Sequence, residues 1–287
     1  MRHLALAFLV VFATQPAFAQ PAAAVAPAAQ VTAAPAPTLA EQEQFLRTAR
    51  IVKTKGAKKG VTATQRATMS DGTLTHDASI QTVDISAARH ETTRGTELNF
   101  RDFWGYNVAA YRLGLMLGLD SIPPSVARRY NAKEASYTWW IDDVIMDEQA
   151  RTDNKTSPPD SAYWRAQNGI IRVFDALIAN TDRNQGNVLI DKHWKVWMID
   201  HTRAFRLTEE PKNPQAIVRC ERSLFAKLKT LDKASLKAEL DAYLSSFEID
   251  ALLKRRDVIV ARIESLGPSA FYELRRPAAT TPQLNTK

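Results

Sequence analysis

The chain has a single cysteine, Cys220, in 287 residues. One thiol cannot close an internal disulfide, so stability has to come from an apolar core. No histidine stands near Cys220 in sequence, which argues against a thiol nucleophile. No block of like charge is present. The net charge of +7 is spread along the chain, which fits an anionic ligand or surface without naming one and gives no reason to expect nucleic acid. After the first twenty residues no apolar run is long enough to span a bilayer. Internal repeats are absent. What the sequence does have is 45% hydrophobic residues, with six Trp and eleven Phe, enough for a sizeable core and incompatible with a wholly disordered chain.

The N-terminus, MRHLALAFLVVFATQPAFAQ, places one early cation, Arg2, before a short apolar run from Leu4 to Ala13, and ends it with Ala17-Phe18-Ala19. This reads as a secretory signal peptide, residues 1–19, cut after Ala19. The mature chain is therefore expected to be exported, periplasmic or secreted, with no membrane span. Residues 20–40 are rich in Pro and Ala and read as a spacer, and residues 276–287 read as a loose tail.

Between them the character changes once. Residues 41–148 favour strands: ARIVKTK, VTATQRATM and HDASIQTVD form a meander, with Asp71-Gly72 as a hairpin signal. A polar loop to about Asn99 follows. Apolar residues at helical spacing then predict a helix from about Phe100 to Leu119, ended by Asp120 and Pro123-Pro124. VARRY and ASYTWWIDDV read as a second hairpin. Residues 149–275 favour helices after the polar loop RTDNKTSPPD, beginning with an amphipathic helix from Tyr163 to Ile178. Strands first and helices second imply an α+β protein of two lobes.

The junction inside the second half carries the chemistry. NTDRNQGNVLIDKHWKVWMIDH holds Asp182, Asn187 and Asp200. Five residues along a helix turn about 500°, so Asp182 and Asn187 cannot face one ligand from a helix. An irregular Asn/Gly loop can bring them together, and a hairpin turning at DKHW can return Asp200 to the same place. Asn187 and Asp200 are then oxygen ligands for a divalent cation, with Asp182 a free carboxylate beside them. His76-Asp77 is not a catalytic pair on this reading, because neighbours on a strand point to opposite faces.

FDALIANTDRNQGNVLI and WMIDHTRAF resemble the catalytic and metal-binding loops of atypical kinases of the protein-kinase-like fold. These are the phosphatidylinositol 3- and 4-kinase, HipA-like, and secretory-pathway Golgi casein kinase and four-jointed types. The resemblance implies a two-lobed protein-kinase-like fold, strand-rich N-lobe and helical C-lobe. It implies Asp182 as the catalytic residue, Asn187 and Asp200 as ligands of Mg2+ or Mn2+, and Arg183 and His201 as supports. It also implies ATP or another nucleotide as a partner besides an unknown acceptor. The GAKKG turn, with Lys58 and Lys59, would cover the phosphates. TWWIDD would be the hinge, with Trp140 and Ile141 near the base.

The chain departs from that pattern in its small lobe. Gln81 stands where the family places a strand lysine, and Asn107 where it places the helix glutamate that pairs with it. Asn107 should face inward, and a Gln81–Asn107 hydrogen bond would satisfy both amides without charge. Such a pair does not neutralise phosphate; Arg66, His76 or a loop lysine could, with Glu97 a possible addition. Three readings follow: metal-dependent phosphoryl or nucleotidyl transfer; a catalytically inactive kinase-like module that binds a nucleotide, another anion or a partner protein; or an α+β binding protein in which the motif is accidental.

Overall fold

The computed structural model describes residues 36–56, 64–92, 95–181 and 183–277. The expected leader, most of the spacer, the GAKKG turn with Lys58 and Lys59, Asp182 and the end of the tail lie outside them. The first element is a helix that sequence reading left unassigned. α1 (Leu39–Thr48) opens with a capping box in which Thr38 and Glu41 bond each other's backbone N–H. It buries Phe45 and Leu46 against a five-stranded antiparallel sheet, ordered β1 (Arg50–Gly56), β2 (Gln65–Ser70), β3 (Thr75–Gln81), β7 (Lys133–Trp139), β6 (Ser125–Tyr130). The expected meander and second hairpin are these strands. Arg128 locks the helix to the sheet, donating to the carbonyls of Leu46 and Ala49 at 3.1 and 2.8 Å.

The period of two sorts the sheet's residues. Ala67, Met69, Ala78, Ile80, Tyr137 and Trp139 face α1 and form the core of this lobe. The other face carries cross-strand rows of polar residues: Arg66 beside Ser79 beside Thr138 beside Ser125, Thr68 beside Asp77, and Gln81 beside Ser136.

The segment expected as a polar loop is a long hairpin, β4 (Asp84–Thr92) with β5 (Gly95–Phe103). It lacks a legible alternation because much of it is solvated on both faces, Ile85 and Leu98 among its exposed residues. Consequently the next helix starts later than expected. Backbone bonds from Phe103 N–H to Thr202 and from Trp104 N–H to Val83 keep that stretch extended, and α2 runs from Gly105 to Met116. α2 is buried almost all round, because it lies between the sheet and the helical lobe. Gly118, at φ +70°, provides its stop.

β8 (Val144–Asp147), the short helix α3 (Glu148–Asp153) and α4 (Ser161–Leu177) lead into the second lobe. β9 (Val188–Asp191) and β10 (Val196–Met198) form the expected hairpin, and β8 pairs with β9. β11 (Cys220–Glu221), α5 (Arg222–Thr230), α6 (Lys233–Leu240), α7 (Ser246–Leu266) and β12 (Phe271–Tyr272) complete it. One core runs through α2, α4, the β9–β10 hairpin and α5 to α7. Arg255 of α7 is fully buried in it and donates to the carbonyls of Leu177 at 2.7 Å, Arg206 at 2.8 Å and Thr208. Cys220 is buried too, and burial with Glu221 beside it pushes its thiol up to about 12, so it is not a thiolate.

Candidate functional site

The loop after α4 is held by one arginine. Arg183 donates to both carboxylate oxygens of Asp175 on α4, at 2.7 to 3.2 Å. Its remaining Nη1 reaches the carbonyls of Ile199 at 2.7 Å and Asn187 at 3.4 Å. A backbone bond from Ile199 N–H to Asn187 C=O, 3.1 Å, closes the same junction. Within the loop Asn184 accepts from Gly186 N–H, which shapes the 3-10 turn Gln185–Asn187. The backbone at the end of the loop is thus stitched to Ile199, the residue before Asp200. Asp182 lies outside the described residues.

Asp200 has φ +55°, a left-handed backbone that Asp adopts more readily than most side chains but less readily than Gly. The small lobe reaches across to it. Gln81, 5% exposed, donates through Nε2 to Asp200 Oδ1 at 3.2 Å and to Thr64 Oγ1 at 3.2 Å. Asn107, 4% exposed, donates to Gln81 Oε1 at 2.6 Å and to Ser136 Oγ at 3.1 Å. Its own Oδ1 accepts from His201 N–H at 2.8 Å. Thr202 Oγ1 adds a further bond to Asp200 Oδ1, 3.2 Å. Every amide donor of the pair is used. The Gln81–Asn107 bond expected from sequence is present, and it forms part of a chain of uncharged groups from β7 through α2 and β3 to Asp200.

His201 is buried, with its ring edge-on to Phe174 and no partner for Nε2 among the described residues. Burial, with the Arg183 charge nearby, holds its pKa well below the ordinary imidazole value, so the ring is neutral.

The remaining sequence candidates lie on both faces of the sheet, just past its end, or on the β4–β5 hairpin. Arg66 pairs with Asp77, and its guanidinium lies 4.2 Å over the ring of Trp140. Ile141 packs against the core of the small lobe. His76 stacks on Trp139 at 3.7 Å and meets Asp142 at 2.8 Å, on the opposite side of the strand from Asp77, as strand alternation requires. Glu97 pairs with Arg206, and Asp102, also on β5, takes Arg203 at 3.3 Å. The hairpin therefore grips the segment that follows Asp200 by two ion pairs. Sequence reading missed Asp175, Ser136 and Thr202. Asp175 carried a signal, as a carboxylate near the C-terminus of an amphipathic helix.

No protein-family model matches the sequence, and no curated protein does. Solved structures do match. A hydra Fam20 structure with sugar superposes with a TM-score of 0.60 at 14% identity, over 82% of this chain and 92% of that one. A Golgi casein kinase with Mn/ADP bound gives 0.55 at 14% identity, over 85% and 80%. A second Golgi casein kinase structure gives 0.54 at 15% identity, over 80% and 76%. The chain has an atypical kinase-like fold. In that kinase-like frame the Asn187–Asp200 junction lies where the two lobes meet, since Gln81 of one lobe bonds Asp200 of the other. No described helix is long and apolar enough to cross a membrane.

Proposed function

We propose that this chain is an exported kinase-like phosphotransferase, with Asp182 as the catalytic residue and Asn187 and Asp200 as ligands of Mg2+ or Mn2+. The observation that supports the reading is the junction itself: Arg183 and the Ile199–Asn187 backbone bond hold the backbone of Asn187 to the residue before Asp200, whose carboxylate Gln81 of the small lobe meets. The donor set fits a hard cation. Among the described residues, both hydrogen bonds to Asp200 fall on Oδ1, which leaves Oδ2 for coordination, and Asn187 adds an amide oxygen. A bound cation would offset phosphate charge at the point of transfer. The resemblance in fold to a Golgi casein kinase solved with Mn/ADP supports a metal and nucleotide there. Asp182 would orient the acceptor hydroxyl, and Trp140 and Arg66 would meet the nucleotide, with Lys58 and Lys59 over its phosphates.

A second reading has its own support. The groups at the lysine and glutamate positions are Gln81 and Asn107, and both spend their polar atoms within the protein. This favours a kinase-like module that binds a nucleotide, another anion or a partner protein without turnover. One series of measurements separates the two. ATP, GTP or UDP with Mn2+ should raise the melting temperature, less so in Asp200→Ala, and labelled γ-phosphate should pass to an acceptor. A nucleotide-dependent shift with no transfer at any acceptor supports the binding module. No shift with any nucleotide ends both nucleotide readings.

A further inference from the structure

On the helical lobe, away from Asp200, a cavity of about 310 Å³ opens between α4 and the segment before β11. Arg165, Asn168 and Arg172 of α4 line it together with Arg219, and Trp164 and Val218 add apolar wall. Positions 165, 168 and 172 follow i, i+3, i+7 and so share one helix face. Arg165 and Arg172 lie about 10 Å apart along the axis, within convergent reach of two long side chains.

Several surface arginines have an acidic partner: Arg47 with Glu43, Arg101 with Asp84, Arg112 with Glu239, Arg129 with Glu134. Among the described residues, Arg165, Arg172 and Arg219 have no carboxylate partner, and the cavity lining contains no acid. Each is held instead by a neutral group. Arg165 donates to Ser161 Oγ at 3.1 Å, Arg172 to the Ala216 carbonyl at 3.2 Å, and Arg219 lies 4.7 Å over the ring of Tyr272. Tyr272 is fixed in turn by its hydroxyl, which donates to Ala166 C=O at 2.7 Å, and it passes so close to Gly169 that a Cβ there would strike the oxygen. Each guanidinium thus makes a neutral contact and keeps most of its donors unspent, and all three arginines line one cavity. Without an anion they repel.

We propose that this cavity is a binding site for a small phosphate monoester. Planar guanidinium forks match a phosphate's oxygens in pairs, and a dianion answers a cluster of three cations better than a carboxylate does. The volume is at the small end for ligand pockets, so it suits a small ester. Trp164 and Val218 provide contact for the organic part, which a bare anion would not use.

Phenyl phosphate, phenyl sulfate and inorganic phosphate, each titrated calorimetrically into the intact chain at low salt, test this. Phenyl phosphate should bind most tightly, and weaken as salt is raised. Arg172→Gln and Arg219→Gln, both at exposed positions, should each lower its affinity about tenfold, the size of one charge-assisted bond. The same variants should keep the wild-type thermal shift with Mn2+ and nucleotide, because the cavity is separate from the Asp200 junction. Loss of that shift in Asp200→Ala leaves phenyl phosphate binding unchanged. Failure of phenyl phosphate to bind at millimolar concentration overturns the proposal, as does equal affinity in the variants. Tighter binding of phenyl sulfate than of phenyl phosphate overturns the choice of phosphate.

Discussion

Gln81→Met tests the uncharged chain at the lobe interface most directly. Methionine has nearly the same shape and volume as glutamine but can neither donate nor accept strongly. The change removes three bonds: to Asp200, to Thr64, and from Asn107. Only part of that loss counts. Asp200 is half-buried and keeps Thr202, and Thr64 is likewise half-buried, so water can replace the lost donor at both. Asn107 is 4% exposed, and one of its two Nδ2 hydrogens would face a thioether. A buried donor left without a partner costs about 1–3 kcal/mol, and the weakened hold on Asp200 adds a part of the same size. The total is about 3 kcal/mol, which for a domain of this length lowers the melting temperature by roughly 6–12 °C. Urea denaturation should show it, and the double-mutant cycle with Asn107→Ala should show coupling of about 1 kcal/mol or more. Under the proposed function the Mn2+-dependent thermal shift also shrinks, because Asp200 loses the donor that orients it. A cost below about 1 kcal/mol, or strict additivity with Asn107→Ala, would refute the reasoning.

Two further outcomes follow from buried charge and its absence. Arg255→Met leaves the carbonyls of Leu177, Arg206 and Thr208 without their donor; at about 1–3 kcal/mol each, less the relief of removing a buried cation, denaturation should show a loss of about 3 kcal/mol or more. His201 is held neutral in the folded state, its pKa depressed by burial and by Arg183, so the unfolded chain takes up that proton first. Stability from this group is full above pH about 6.5 and falls by up to about 1.4 kcal/mol per unit as the pH drops below it. His201→Asn should flatten that part of the pH–stability curve relative to the wild type.

Much of the fold was legible because the elements that build it obey a period. β2 and β3 alternate, α4 carries an apolar stripe, and the β9–β10 hairpin follows a loop rich in Asn and Gly. The misses share one physical cause. Where both faces of an element are alike, no period appears. β4 and β5 are solvated on much of both faces, so they read as a loop. α2 is buried on both, so its apolar residues ran back without a break into Phe100 and Phe103, which belong to β5. α1 went unseen for another reason: its N-terminal signal, Thr38 with Glu41, stands at the end of a Pro/Ala-rich stretch whose composition argued for a spacer.

The candidate site was legible as a spacing and illegible as a network. Sequence can say that Asn187 and Asp200 flank a hairpin, and that Asn107 faces inward. It cannot say that Gln81 spends a hydrogen on Asp200, since 119 positions separate them. Backbone strain carries the same lesson. Ala179, Asp200 and Phe205 all have φ between 51° and 55°, in a region where none of them has glycine's freedom. Each costs of order 1–3 kcal/mol and persists only where surrounding bonds over-determine it. Here they do: Phe205 N–H bonds Ile178 C=O, His201 N–H bonds Asn107, and Thr202 C=O accepts from Phe103 N–H. Those bonds come from the end of α4 and from the consecutive elements β5 and α2, all distant in sequence from the turn they hold. The turn at Asp200 is therefore held by the assembled lobes. Asp200→Gly, which relieves the strained φ while deleting the carboxylate, should lose the Mn2+-dependent shift and yet cost less stability than Asp200→Ala. If alanine and glycine prove equally stable, the surrounding bonds do not force the left-handed backbone at this position.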